Sequence, residues 1–159
     1  MKTKNTLLGF FILLSVVSYS QGKKDIKKNN IKAISVIDNE NGKLLSNKKC
    51  EFDKNGETIQ EIDFDKEGFL KTKRSFKYNK EGDVIEEEEF DAKTKLTEKR
   101  IYKFNALGEK TEEEVYDNLG KKVRIHYYTY NAKGLKTEKK TLDATGRTIS
   151  VRTYNYTFN

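Results

Sequence analysis

From residue 50 onward, aromatic and turn-forming residues return along the chain at fixed intervals. The recurring phrase is an aromatic, a polar residue, a second aromatic, Asp or Asn, two variable residues and Gly. Tyr128 to Gly134 is one instance. Glycines stand at Gly42, Gly56, Gly68, Gly82, Gly108, Gly120, Gly134 and Gly146, in steps alternating between 14 and 12. The single double step, of 26, runs from Gly82 to Gly108 and has Thr94 at the skipped place. The unit is therefore 26 residues with two turns, and repeats of this length mark an array in which each unit packs on its neighbours.

Counting from Cys50, position one is Cys50, Phe76, Tyr102, Tyr128 and Tyr154. Position three is Phe52, Tyr78, Phe104, Tyr130 and Tyr156. The first turn opens at Asp53, Asn79, Asn105 and Asn131, the second at Asp65, Asp91, Asp117 and Asp143. An Asp or Asn at the head of a type I turn accepts bonds from backbone N–H groups ahead of it. The residue closing such a turn has positive φ, which Gly tolerates best, so Gly108 and Gly134 are expected there. About eight to ten residues separate the turns, a strand's length. Positions one and three share a face, with Glu51, Lys77, Lys103 and Thr129 on the other. This alternation fades in charged centres such as Glu86 to Glu89.

The pattern predicts an all-β fold: an antiparallel meander of about ten strands, either open or rolled around its aromatic face. Residues 50–159 hold four full units and a partial fifth; residues 21–49 read as a basic segment with a degenerate first unit, Gly42 in phase. Arg74, Arg100, His126 and Arg152 share position twenty-five, and Gln60, Glu86, Glu112 and Glu138 share position eleven. Cross-strand pairing of these two columns is expected to control register.

Residues 1–20 carry the charge, apolar run and small-residue pattern of a secretory signal: Lys2 and Lys4, then Leu7 to Val17, then Ser18 and Ser20. A Ser-x-Ser cut before Gln21 resembles the signals of Bacteroidetes. The expected address is outside the cytoplasm: periplasm, outer membrane or beyond. No later segment is apolar enough to span a membrane.

Charge alters the picture in one respect. The chain is +7 overall, yet residues 50–159 hold 22 basic and 22 acidic residues. The excess lies in the signal and in the stretch up to Lys49, with Lys23, Lys24, Lys27 and Lys28 clustered as a solvated, mobile terminus. A neutral repeat body gives no continuous track for phosphates and argues against nucleic acid. Cys50 is the only cysteine and replaces an aromatic in its column, so it reads as a core filler. His126, the only histidine, replaces arginine and reads as a surface residue. Neither has a partner at triad or metal spacing. Asp53 to Glu57 and Asn79 to Asp83 resemble fragments of calcium loops but lack the ligand series, and turns explain them. No cofactor, metal or catalytic residue is implied.

The phrases Tyr128 to Lys136, Thr141 to Arg147 and Val115 to Lys121 resemble the YD repeats of the Rhs family, over roughly residues 50–159. The MORN-like repeats are a rival resemblance; the absence of Trp and the recurring Asp favour the YD reading. The unit here is longer, Asn often replaces Asp, and a toxin-like domain after the repeats is not expected. The YD resemblance implies a β-strip that can spiral into a shell, and carbohydrate binding. The expected function is a non-catalytic exported module for binding or scaffolding, with polysaccharide or protein as partner. If the aromatic rows bind sugar, Phe76, Tyr78, Tyr102, Phe104, Tyr128 and Tyr130 are the candidates, although such rows are first of all core. The alternative is a partner or immunity-type subunit docking through a sheet edge.

Overall fold

A computed structural model describes residues 22–158, except the side chains of 44–46. The expected signal, residues 1–20, lies outside the described residues. A short helix α1 (Lys23–Lys28) precedes ten strands: β1 (Ala33–Glu40), β2 (Lys43–Phe52), β3 (Thr58–Phe64), β4 (Leu70–Tyr78) and β5 (Val84–Phe90), then β6 (Leu96–Phe104), β7 (Lys110–Asp117), β8 (Lys122–Tyr130), β9 (Lys136–Asp143) and β10 (Thr148–Thr153). They form one antiparallel sheet in sequence order, β1 to β10. The end strands do not meet, so of the two expected arrangements the sheet is the open one.

The turns explain the meander. Between β2 and β3, Gly56 N–H donates to Asp53 O at 3.0 Å and Asp53 N–H to Glu57 O at 2.9 Å. Asp53 Oδ1 accepts from the N–H groups of Asn55 and Glu57 at 2.8 and 2.9 Å. Asn105 Oδ1 does the same for Leu107 and Glu109, both at 3.0 Å. In each case a single oxygen accepts both backbone N–H groups; Asp53 Oδ2 takes only the side-chain amide of Asn55, at 3.2 Å. This is why Asn79, Asn105 and Asn131 can stand where Asp53 stands: the turn needs an acceptor, not a charge. Gly108 and Gly134 take φ of 76° and 72°, as the turn reading requires. Each of these hairpins shifts register beside its turn, a bulge that adds one residue to one strand.

Thr94 shows the rule by exception. It fills the skipped glycine place at φ 59°. A left-handed non-glycine residue costs roughly 1–2 kcal/mol. Thr94→Gly is therefore expected to raise unfolding stability by about 1 kcal/mol in a urea titration. An unchanged midpoint would mean that the turn carries no such strain.

The N-terminal segment departs from expectation twice. The first hairpin closes through two residues, Asn41 and Gly42, both at positive φ, instead of the longer turn used elsewhere. Asn-Gly is the preferred pair for such a tight turn. The lysine cluster is also not a loose terminus, because Lys23–Lys28 is α1. Its Ile26 is buried against Cys50 and Phe52, with Ile31 and Ile34 beside them. Cys50 fills the place of the first aromatic because the helix covers it, and its burial matches the core role read from its column.

The core is thin. Buried apolar side chains are Ile26, Cys50, Phe52, Tyr102, Val115 and Tyr128, joined by Glu113, His126 and Thr141. Burial of His126 corrects its reading as a surface residue. Its Nδ1 lies 2.9 Å from Thr141 Oγ1.

Candidate binding face

The column at position twelve organises the aromatic face, and it holds Glu61, Glu87, Glu113 and Lys139. Each is the direct cross-strand neighbour of a position-one residue on one side and a position-twenty-five residue on the other. The rows read Cys50–Glu61–Arg74, Phe76–Glu87–Arg100, Tyr102–Glu113–His126 and Tyr128–Lys139–Arg152. The expected pairing of positions eleven and twenty-five is thus corrected. They point to opposite faces, because the bulge beside each turn flips the parity. Glu86 and Glu112, at position eleven, pair instead with Lys77 and Lys103 on the opposite face, at 2.6 and 2.7 Å.

On the aromatic face, Arg74 bonds Glu61 at 2.5 Å, and Tyr102 donates to Glu87 at 2.7 Å. Glu113 is the hub. It accepts from Tyr128 at 2.6 Å, Arg100 at 3.0 Å and Lys110 at 3.1 Å, with its side chain only 5% exposed. Burial pushes this carboxyl up, but the Tyr128 bond, Lys110 and Arg100 reverse that and hold it at about 2. Burial pushes the Tyr128 and Tyr102 phenols well above their ordinary value, and the neighbouring carboxylates add to the effect. His126 is lowered to about 4, first by burial and then by Lys139.

A second clasp links each unit to the one before. Tyr78, Tyr130 and Tyr156, at position three, donate to the carbonyls of Thr58, Lys110 and Lys136, at 2.7, 2.8 and 2.7 Å. Each bond reaches back 20 residues. Phe104 stands in the same column without a hydroxyl. Phe104→Tyr is expected to supply the missing clasp and stabilise the protein by about 0.5–1.5 kcal/mol, read as a higher Tm. A lower Tm would mean that the column is not equivalent along the array.

The six candidate aromatics therefore lie together on one face. Tyr102 and Tyr128 are buried, while Phe76, Tyr78, Phe104 and Tyr130 are half-buried. The hydroxyls of Tyr78, Tyr102, Tyr128 and Tyr130 are all engaged within the protein. The turn residues Asp53, Asp65, Asn79, Asp91, Asn105, Asp117, Asn131 and Asp143 lie outside the face and build the turns.

The fourth row breaks the scheme. Lys139 stands opposite Arg152 where earlier rows set a carboxylate against Arg74, Arg100 or His126. The ammonium groups of Lys110, Lys136 and Lys139 lie 5.0, 4.8 and 5.6 Å from the centroid of the Tyr128 ring. Lys136 also approaches the Tyr154 ring, at 5.9 Å. Burial lowers the Lys139 ammonium, and the nearby Lys110, Arg152 and Lys136 add to that. Among the described residues, no carboxylate makes an ion pair with Lys136, Lys139 or Arg152. Sequence reading missed this column, although the exchange of three Glu for one Lys was visible in the aligned units.

No family model matches the chain, and no curated protein matches it at a significant level. Among solved structures, a protein of unknown function from Bacteroides fragilis NCTC 9343 aligns with 80% of this chain and 96% of its own, at 13% identity and a TM-score of 0.40. A DUF3836 family protein from Parabacteroides distasonis ATCC 8503 covers 71% of this chain and 91% of its own, at 16% identity and a TM-score of 0.24. S. aureus TarM covers 79% of this chain at 17% identity and a TM-score of 0.33, but the chain spans only 22% of that protein. At these scores the likenesses carry no argument about family or function.

Proposed function

We propose that this protein is a non-catalytic, exported binding module of the cell envelope or its exterior, and that its aromatic face takes an extended polysaccharide. The observation that carries the reading is the regular row structure of that face on an open sheet. Strands lie ~4.8 Å apart, so a two-strand unit repeats like groups every ~9.6 Å along the sheet. A linear polymer with a periodic backbone can meet successive units in the same way, as repeat arrays commonly do with extended partners. Export rests on the pattern in residues 1–20, and kinship with YD repeats rests on the two-turn motif.

The test is Tyr130→Ala, with melting temperature and retention on immobilised envelope glycan both measured. Tyr130 is half-buried and clasps Lys110. The proposal expects retention to fall along with Tm; lower stability with unchanged retention removes sugar binding from this face.

One observation favours a second reading, docking to a protein partner through an edge. All six residues of β10 are exposed, and Ile149 and Val151 are 50% and 54% exposed. An uncovered edge strand invites strand addition. Replacing Ile149 and Val151 together with Lys tests this reading, because a charged edge blocks strand addition and capture of a protein partner that survives it rules out docking at β10.

A further inference from the structure

The fourth row departs from a rule that the other rows keep. Like charges directly opposite one another on adjacent strands are destabilising. Lys139 and Arg152 occupy that arrangement; Glu98 also faces Glu89 and Asp117, but it is paired with Arg100, whereas among the described residues no carboxylate pairs with Lys139 or Arg152. Position twelve of the three earlier units is Glu, and the sheet folds with Glu there. Nothing in the architecture therefore demands lysine at this place. Local conflicts of this kind cluster at functional sites, where an outside group resolves them.

The surroundings say what that group is. Lys110, Lys136, Lys139 and Arg152 converge beside Tyr128 and Tyr154. Among the described residues the carboxylate that acts on Lys139 is Glu113, which already serves Arg100, Lys110 and Tyr128. Glu138 and Lys140 flank Lys139 in sequence and point to the opposite face, paired with Thr129 and Tyr127. The aromatic face therefore ends in a cationic patch without its carboxylates. Lys136 and Lys139 are half-buried against aromatic rings, while Arg152 is exposed at the rim.

Resting on the polysaccharide reading above, we infer that Lys136, Lys139 and Arg152 form an anion subsite for an acidic polysaccharide, whose carboxylate takes the place of the missing position-twelve Glu. Earlier rows show the geometry a carboxylate finds there: an arginine on one side, as Arg74 meets Glu61, and a tyrosine hydroxyl on the other, as Tyr128 meets Glu113. Adjacent strands are ~4.8 Å apart, comparable to the length of one sugar in an extended chain. A polymer with one carboxylate per sugar can thus set successive charges against successive strands. Nucleic acid fits less well, because duplex DNA carries a charge every ~1.7 Å and needs a longer basic track than one row provides.

The experiment is affinity electrophoresis of the full protein through gels carrying polygalacturonate, a neutral dextran or DNA. Three proteins are compared: wild type, Lys139→Glu and Lys93→Glu. Lys93 lies in the exposed turn between β5 and β6, so its replacement makes the same charge change away from the patch. Wild type is expected to be retarded by polygalacturonate, and less so as salt rises. Lys139→Glu is expected to lose affinity about tenfold or more, and Lys93→Glu to stay within about twofold. The Tm of Lys139→Glu is expected to be no lower than wild type, because it restores the opposite-charge row; binding lost through unfolding is thereby recognised. Equal retention of wild type and Lys139→Glu on polygalacturonate overturns the subsite, as does an equal loss in Lys93→Glu. Retardation by DNA that depends on Lys139, without retardation by polygalacturonate, overturns the ligand class. If dextran retards all three proteins equally and polygalacturonate does no more, polysaccharide binding stands and this subsite falls. No retardation of wild type in any gel removes both.

Discussion

Glu113→Ala is expected to destabilise the protein by roughly 2–4 kcal/mol, more than loss of any other single carboxylate on the sheet. The side chain is buried and receives three donors, from Tyr128, Arg100 and Lys110. Removing it strands a buried phenol and leaves two cations facing each other with nothing between them. Exposed pairs such as Lys103 with Glu112 are cheap to lose, because water replaces the partner. Urea titration at neutral pH measures the difference.

The same residue sets an acid limb. Its carboxyl has an ordinary value of 4.5 and is held at about 2 in the folded protein. A depressed carboxylate contributes its stability above the unfolded value and loses it as pH falls toward the folded one. The Glu113 contribution is therefore complete above about 4.5 and declines toward 2. His126 adds an earlier limb. Its value falls from 6.5 to about 4 on folding, so the unfolded chain takes up the proton first and stability declines across that window. Glu113→Gln is expected to lose the lower limb and keep the upper one, in Tm measured from pH 7 to pH 2.5. A wild-type Tm that is flat over the whole range contradicts both assignments.

Gly56→Val is the second large effect, expected at about 2–3 kcal/mol, against about 1 kcal/mol for Gly108→Val. Both glycines have positive φ, 81° and 76°, so backbone strain is common to the two replacements. A Cβ on Gly56, however, would lie 2.7 Å from the backbone oxygen of Lys23, whereas one on Gly108 would meet open space. Backbone cannot yield as a side-chain tip can, so the helix must lift. Ile26 then leaves Cys50 and Phe52, and the first unit loses its cover. Trypsin cleavage within Lys23–Lys28 should accelerate in Gly56→Val and not in Gly108→Val. Equal destabilisation and equal cleavage would mean that α1 contributes nothing.

The meander was legible because its signals are local. Asp or Asn, two free residues and Gly specify a turn without reference to the rest of the chain, and short turns force neighbours in sequence to be neighbours in the sheet. Thr94 at the skipped place takes the same positive φ as the glycines. Strand faces were legible only up to the bulges. Positions one and three share a face as read, but one added residue beside each turn moved position twenty-five from the Glu86 column to the Glu87 column. His126 looked like a surface residue because its column is basic; its burial depends on Thr141, across the sheet on β9. Helix α1 has six residues, too few for a helical period to show, and it is held by tertiary contact with β2. The cationic patch required the units to be aligned and the exceptions read, since Lys139 alone is an ordinary surface lysine by type.

Polysaccharide binding by the aromatic face is decided by exposing the purified protein to a solubilised envelope extract from its own source and quantifying both sugar and protein in the bound fraction. Polysaccharide is expected to be enriched in the bound fraction and released by salt, with no protein bound in stoichiometric amount. A single stoichiometric protein without sugar would contradict it and move the function to the β10 edge; an empty bound fraction would contradict it outright.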